Sequence, residues 1–313
     1  MSRKRQILLV ALAGLLVVAS LAWVAARISP EGDPGMAARR HVTDMTGRDV
    51  AIPSCPRRIL SLCTSATDTM VWIGAGDLLA AIDEYGCTVP GVERAEVIGK
   101  GSAVSQEAIL SRRIDLAFIW WYQDDAAAML ERLSVPVVRV RSARAAEVPA
   151  MIRLVGRCVG YGETADREAA RVEQFLELAA TVPDAAATTR PRVYLEMYGA
   201  YKTLGRDTYC DDLIRLAGGD NVAAEATGSV LLSAERLIHS APDAVLLVED
   251  FGDAATIAAR PGMAELAAVR HGRVVALERR WLIAGPAMPE AVQRIRELLA
   301  TAAAAERTAH GLP

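Results

Sequence analysis

Short apolar runs alternate along the chain with segments whose apolar residues recur at helical spacing, and the alternation predicts strands and helices in turn. The segment VTDMTGRDV, from Val42 to Val50, reads as a hairpin turning at Gly47. After Pro53 and Pro56, the run from Arg58 to Cys63 is a buried strand. The hydroxyls and carboxylate of Thr64 to Asp68 suit the start of a helix reaching Gly74. Further strands are expected over Leu78 to Ile82, Glu96 to Ile98, Ile114 to Trp120 and Val135 to Val140, with helices over Ser105 to Arg113 and Asp124 to Leu133. Such an order belongs to a largely parallel sheet with helices on its faces.

Between Ala145 and Thr181 the helical period continues with few interruptions and predicts two helices, the second from about Glu163 to Ala180. A helix of that length is a rod able to carry the chain from one lobe to another, and the stretch from Pro183 to Pro191 is its exit. Beyond it the plan repeats. The strand Arg192 to Met197 resembles Arg58 to Cys63, and Ser233-Ala-Glu235 ahead of Asp243 mirrors Ser105-Gln-Glu107 ahead of Asp115. Two copies of helix, turn, aspartate and apolar strand predict an α/β protein of two Rossmann-like lobes with parallel sheets joined by one long helix. A strand from Arg273 to Leu277 and a helix from Met288 to Ala304 close the second copy. The expected division is 1–35 signal or anchor, 36–142 first lobe, 143–188 linking helices and 189–313 second lobe.

The first segment decides the compartment. Arg3, Lys4 and Arg5 precede an uncharged apolar run from Ile7 to Ala26, a secretory signal or a single membrane anchor. Val24-Ala25-Ala26 offers small residues for cleavage, so a cut and a retained segment both stay open. Either way everything after Arg27 crosses the membrane. No cysteine follows the run directly, so a lipid anchor is not expected. A net charge of −3 with scattered basic residues gives no field for nucleic acid.

Several stretches together resemble the periplasmic substrate-binding proteins of importers for iron-siderophores, heme and cobalamin. They are VTDMTGRDVAIP leading into RRILSL, the Ser-x-Glu helix before IDLAFIW, TLGRDTYCDDLIRLAGGDNVA, SAERLIHSAPDAVLLV and the closing GPAMPEAVQRIRELL. None is specific alone, whereas their order and spacing over the exported chain are. The resemblance implies a periplasmic monomer without catalytic chemistry, a metal chelate held between lobes of limited hinge motion, and delivery to the permease of an ABC importer. If residues 7–26 are kept, they tether it to the inner membrane.

Ligands of open α/β sheets bind beyond the carboxyl ends of the strands. Aromatic residues are only 5% of this chain, yet Tyr85, Trp120, Trp121, Tyr122, Tyr198, Tyr201, Tyr209 and Trp281 fall at or just after predicted strands. Of these, Tyr85, Trp121, Tyr122, Tyr198, Tyr201 and Trp281 are the candidates for a bulky flat ligand, with an arginine fork at Arg279 and Arg280, Arg280 preferred, to hold an acidic group on it. Strand alternation requires that one or two of Trp120, Trp121 and Tyr122 pack inward, and Trp72, mid-helix, reads as core. Lys202 and Arg206 are weaker candidates. Cys63 and Cys87 each follow a strand, and three readings stay open: a disulfide between them, thiolates on a soft metal together with Cys210, or idle thiols. Cys158 reads as packing, and none of the four histidines is placed for the cleft. A thiol enzyme using Cys63 therefore has no basic partner. In the resembling family an acid on each lobe meets the permease, and Asp125 and Asp250 are the candidates here.

Overall fold

The structure is a computed structural model describing residues 38–181 and 190–309. The apolar N-terminal run, most of the expected exit stretch and His310 lie outside the described residues. Among those described, no helix is long and apolar enough to cross a membrane.

The leading hairpin pairs strand β1 (Arg39–Thr43) antiparallel with β2 (Asp49–Pro53). Its turn is built on Asp44, whose carboxylate accepts the N–H groups of Thr46 and Arg48 at 2.9 and 3.0 Å. Gly47 takes a φ of +83°, as a tight turn of this kind demands.

The first lobe comprises β3 (Ile59–Ser61), α1 (Thr64–Trp72), β4 (Leu79–Ile82), β5 (Glu96–Val97), a small hairpin of β6 (Gly99–Lys100) and β7 (Ala103–Val104), α2 (Gln106–Ser111), β8 (Leu116–Trp120), α3 (Asp124–Arg132) and β9 (Val137–Val140). Its five-stranded sheet is parallel throughout, in the order β5-β4-β3-β8-β9. All of β3 is buried, as a strand covered on both faces must be. Helix α1 starts differently from expectation: Cys63 is its N-cap, its sulfur facing the N–H groups of Ser65 and Ala66, with no side-chain cap hydrogen bond.

Helices α4 (Val148–Val159) and α5 (Gly162–Thr181) form the link. They touch where Gly156 meets Ala165, so closely that a Cβ on the glycine would lie 2.1 Å from the alanine Cβ. Arg153 and Glu173 then join the two helices by paired hydrogen bonds of 2.5 and 2.7 Å.

The second lobe runs β10 (Arg192–Glu196), β11 (Lys202–Leu204), α6 (Tyr209–Leu216), β12 (Asp220–Asn221), β13 (Ser229–Leu231), α7 (Ala234–Ser240), β14 (Ala244–Val248), α8 (Ala254–Ala258), α9 (Ala267–Arg270), β15 (Val274–Leu277) and α10 (Met288–Ala309). Its parallel sheet has the order β12-β10-β14-β15, and β11 pairs separately with β13.

The internal repeat has a physical basis. Ser105 and Ser233 cap α2 and α7, each oxygen accepting an N–H three residues on, from Ala108 and Arg236, at 3.1 Å. Asp115 then accepts the N–H groups of Arg57 and Arg58 at 2.8 and 3.0 Å, and Asp243 that of Arg192 at 2.7 Å. In both lobes, therefore, the aspartate ahead of one strand fixes the start of its parallel neighbour.

One apolar core runs through both lobes, from Ile59 and Leu116 through Met151 and Val155 of α4 to Leu195, Leu246 and Val292. Two arginines reinforce the junction. Arg144, beyond β9, contacts Asp212 of α6 through Nε and Nη2 at 2.9 Å each. Arg171 of α5 lies 5.6 Å from the Trp72 ring while donating to Glu290 at 2.9 Å and to the carbonyl of Pro286 at 2.6 Å. Trp72 is thus not the core residue expected. It ends α1 with 42% of its surface exposed, its Nε1 donating to Glu168 at 3.0 Å, because the polar flank of α5 rather than a sheet covers it.

Candidate functional site

The first lobe contributes rings from the turns that follow two of its strands. Tyr85 lies in the turn Glu84–Thr88 after β4 and is 43% exposed, and Tyr122, just past β8, is 61% exposed. Trp120 stacks on Tyr122 at 6.3 Å with 10° between the planes, and Trp121 meets Tyr122 edge-on at 4.9 Å. Trp120 and Trp121 are half-buried and Tyr122 projects, the strand ending at Trp120 so that its alternation does not extend over the other two rings. Arg141 covers the far side of Trp121 at 5.8 Å.

The second lobe answers with the loop after β10. Tyr198 and Tyr201 there have φ values of +68° and +61°, and Asp207, beyond β11, has +64°; each such non-glycine residue costs on the order of 1 kcal/mol. Buried Glu196 helps hold this loop by accepting the N–H of Tyr201 at 3.0 Å. Tyr198 is 49% exposed along its length, yet its hydroxyl stands in a confined space within electrostatic range of Cys210, Arg279, Tyr122 and Tyr85. Phenols from both lobes therefore face one region. Burial pushes the Tyr198 phenol up to about 12, with Cys210 adding to the rise and Arg279 opposing it. The Arg279 guanidinium lies 5.9 Å from the Tyr198 ring and 5.3 Å from that of Phe251, and its Nε donates to Asp250 at 2.6 Å.

This geometry redistributes several expectations. Arg280 is exposed and turned to its neighbours, paired with Glu278 at 2.8 Å and lying 4.6 Å from the Trp281 ring, so it is Arg279 that reaches Tyr198. Trp281 is half-buried against the shared core, with its indole N–H buried and unpartnered among the described residues. Tyr201 packs into the second lobe under Arg260, 5.1 Å from its ring. Lys202 and Arg206 are exposed. Asp125 is exposed in the first turn of α3, and Asp250, also exposed, accepts a hydrogen bond from Arg279. Adjacent residues of opposite orientation, such as Arg279 and Arg280, carry no sequence signal to separate them.

The cysteine expectations change most. All five thiols are free in the structure, with Cys63 wholly buried and Cys87 exposed, so the Cys63–Cys87 bridge is not formed. Cys63 lies at the floor near Tyr122 and Asp83, whereas the turn after β4 carries Cys87 outward. Cys210 is buried against the sulfur of Met197 at 3.9 Å. Among the described residues no group of three or more His, Cys, Asp or Glu side chains gathers to hold a metal ion, so Cys63, Cys87 and Cys210 do not form the shared site considered from sequence. Burial drives the Cys63 thiol far above its ordinary value, and pushes Cys158 and Cys210 up to about 12.

Comparison with known proteins places this architecture. Residues 62–280 match the family model described as periplasmic binding protein. The chain is 25% identical over 268 residues to the uncharacterized ABC transporter substrate-binding lipoprotein YvrC of Bacillus subtilis, covering 82% of this chain and 84% of that one. It is 28% identical over 214 residues to a cobalamin-binding protein of Halobacterium salinarum, covering 65% of this chain but only 57% of that relative's length. Among solved structures, the periplasmic heme-binding protein RhuT from Roseiflexus sp. RS-1 superposes with a TM-score of 0.71 at 26% identity, over 79% of this chain and 99% of that one. With the family model spanning most of the first lobe, the link and most of the second lobe, the chain belongs to the periplasmic binding protein family.

Proposed function

We propose that the protein captures a bulky metal chelate, of the corrinoid, heme or iron-siderophore class, between its lobes and delivers it to the permease of an ABC importer. The observation that carries this reading is the convergence of Tyr85 and Tyr122 from one lobe with Tyr198 and Arg279 from the other. Flat rings supply large contact area at small entropic cost, and a guanidinium half-buried among them offers a charge-assisted partner for an acidic side group. The phenols of Tyr85, Tyr122 and Tyr198 also supply oxygen ligands of the kind suited to a ferric centre. The cobalamin-binding and heme-binding relatives support a chelate as the cargo without choosing among them. The protein has no resident cofactor in this reading, acts as a monomer outside the inner membrane, and stays tethered if residues 7–26 are retained.

Docking to the permease needs one acid per lobe. Asp125 and Asp250 were the sequence choice, but Asp250 is held by Arg279 and the two do not occupy matching places in the repeat. Glu107 and Glu235 do, each eight residues before the strand-opening Asp115 and Asp243, exposed in the first turn of α2 and α7. A pair related by the lobes' own repeat presents the same chemistry twice, which suits a two-fold partner. Glu107 and Glu235 are therefore the preferred docking pair.

Thermal-shift titration with cyanocobalamin, hemin and a panel of ferric siderophores tests the reading. A tight ligand at saturation stabilises by several kcal/mol, roughly 4 at a thousandfold excess over Kd. No shift with any of the three classes overturns it.

A further inference from the structure

Asp83 directly follows β4, at the carboxyl edge of the first lobe's sheet, and only 2% of its surface is exposed. Its Oδ1 accepts the N–H of Gly86 at 3.0 Å and its Oδ2 the N–H of Gly101 at 3.2 Å. The two amides belong to different segments: the turn that carries Tyr85, and the connection between β6 and β7. Those segments also meet over Tyr85 itself. Lys100 lies 5.5 Å from its ring and 3.1 Å from the Glu84 carboxylate, and a Cβ on Gly101 would stand 3.8 Å from the ring edge. One buried carboxylate thus pins both sides of the Tyr85 mount.

The second lobe solves the same problem differently. Glu196, also buried at a strand's end, fixes the Tyr201 N–H, but it is neutralised by Arg260 through two hydrogen bonds of 2.7 Å. Asp83 has no such partner. The groups that face it are Tyr122 from the turn beyond β8, Cys63 from the end of β3 and Glu84 from its own turn, while Lys100 is committed to Glu84. Among the described residues no basic side chain forms an ion pair with it.

We propose that Asp83 is the positioning residue for Tyr85 and makes capture proton-linked, the Tyr85 turn closing more firmly, and the ligand binding more tightly, as pH falls from neutral to mildly acidic. The closed turn buries an unneutralised carboxylate, and opening it returns that carboxylate to water. Burial pushes Asp83 up to about 6, against hydrogen bonds from Gly86 and Gly101 that favour the charged form. A state that raises an acid's pKa above its ordinary 3.8 is favoured in acid and loses that advantage as pH rises through about 6. A chelate laid over Tyr85 and Tyr122 excludes the remaining water and strengthens the linkage. The binding half of this inference rests on the proposed function, and the loop half does not.

The test is hydrogen exchange on the ligand-free full chain from pH 5 to 8, corrected for intrinsic exchange chemistry. Protection over residues 84–101 should fall severalfold as pH rises through 6, while residues 196–204 stay level. Asp83→Asn should abolish the slope. Parallel profiles in the two lobes, or an undiminished slope in Asp83→Asn, overturn the proposal, and the wild-type comparison decides alone if the variant does not fold. In a second arm, cyanocobalamin and hemin affinities are measured at pH 5.5 and 7.5. The wild-type Kd should drop severalfold relative to that of Asp83→Asn, a ratio that cancels titration of the ligand. An unchanged ratio overturns the linkage to capture. Failure of both chelates to bind counts against the proposed function and leaves the exchange result to decide on Asp83.

Discussion

Asp68 of α1 and Gly285 of the loop before α10 press together across the junction of the lobes, so closely that a Cβ on the glycine would stand 2.2 Å from the Asp68 Oδ2. That oxygen is buried and unpartnered among the described residues, and burial pushes the carboxyl up to about 7. A pKa raised by folding gives stability that is present in acid and lost as pH rises through 7. Asp68→Asn should therefore raise the melting temperature, by more at pH 8 than at pH 6. Equal gains at the two pH values would show that the charge is solvated. Gly285→Ala should destabilise by about 1–3 kcal/mol in denaturant titration, since no cavity receives the methyl.

The Arg144–Asp212 pair should behave in the opposite sense. Burial works to raise Asp212, but the Arg144 guanidinium and the Ala145 N–H, at 2.8 Å, outweigh it and hold the carboxyl below its ordinary value. Its stability is present above pH 3.8 and is lost as pH falls through the lowered pKa. Arg144→Ala, leaving a nearly buried carboxylate short of its partner, should cost about 2–4 kcal/mol at pH 7. Acid unfolding followed by circular dichroism should show the gap between variant and wild type narrowing below pH 3.8.

Tyr198 combines an unfavourable backbone with a central position. Tyr198→Gly should hold or raise stability, by up to about 1 kcal/mol, because glycine adopts its φ without strain. The same change should weaken chelate binding tenfold or more. Arg279→Ala should weaken binding comparably and Arg280→Ala little, as read by titration calorimetry; equal effects would return Arg280 to the cleft.

Charge reversal separates the docking pairs. Glu107→Lys with Glu235→Lys should abolish importer-dependent uptake while leaving ligand affinity unchanged. Asp125→Lys alone should leave uptake intact, and loss of uptake there would restore the sequence choice.

Thiol labelling reports the cysteine arrangement. A maleimide should modify Cys55 and Cys87 within minutes in the native protein, and Cys63, Cys158 and Cys210 only after unfolding, as counted by intact mass. Loss of the Cys87 label in the native protein and of both the Cys63 and Cys87 labels after unfolding, restored by reduction and located by peptide mass, would show that the two bridge in the cell.

The strands and helices were legible because each lobe buries its sheet on both faces, which writes Ile59 to Ser61 and Ala244 to Val248 as unbroken apolar or small runs. The repeat was legible because Ser105 and Ser233 cap helices and Asp115 and Asp243 fix strand starts, local tasks that need a definite residue type. What stayed hidden depends on direction rather than type. Tyr198 and Tyr201 gave no sign of a left-handed backbone, since the glycine that usually betrays one is absent at both positions. Asp83 and Glu196 carry no mark that sets them apart from other acids of the chain, although each organises a cleft loop. Trp72 was misjudged because its cover, α5, comes from about 96 residues later in the chain.

Arg171 stands at one spot on a helix ~30 Å long and touches a ring from one lobe and the start of a helix from the other. Tilt between the lobes disturbs the Trp72, Glu290 and Pro286 contacts of this arginine together. Tilt between the lobes is thus resisted at this point of the frame, which leaves the Tyr198 loop and the Tyr85 turn as the parts of the lining able to move without it. One arginine on the linking helix therefore ties the placement of the first lobe to that of the second.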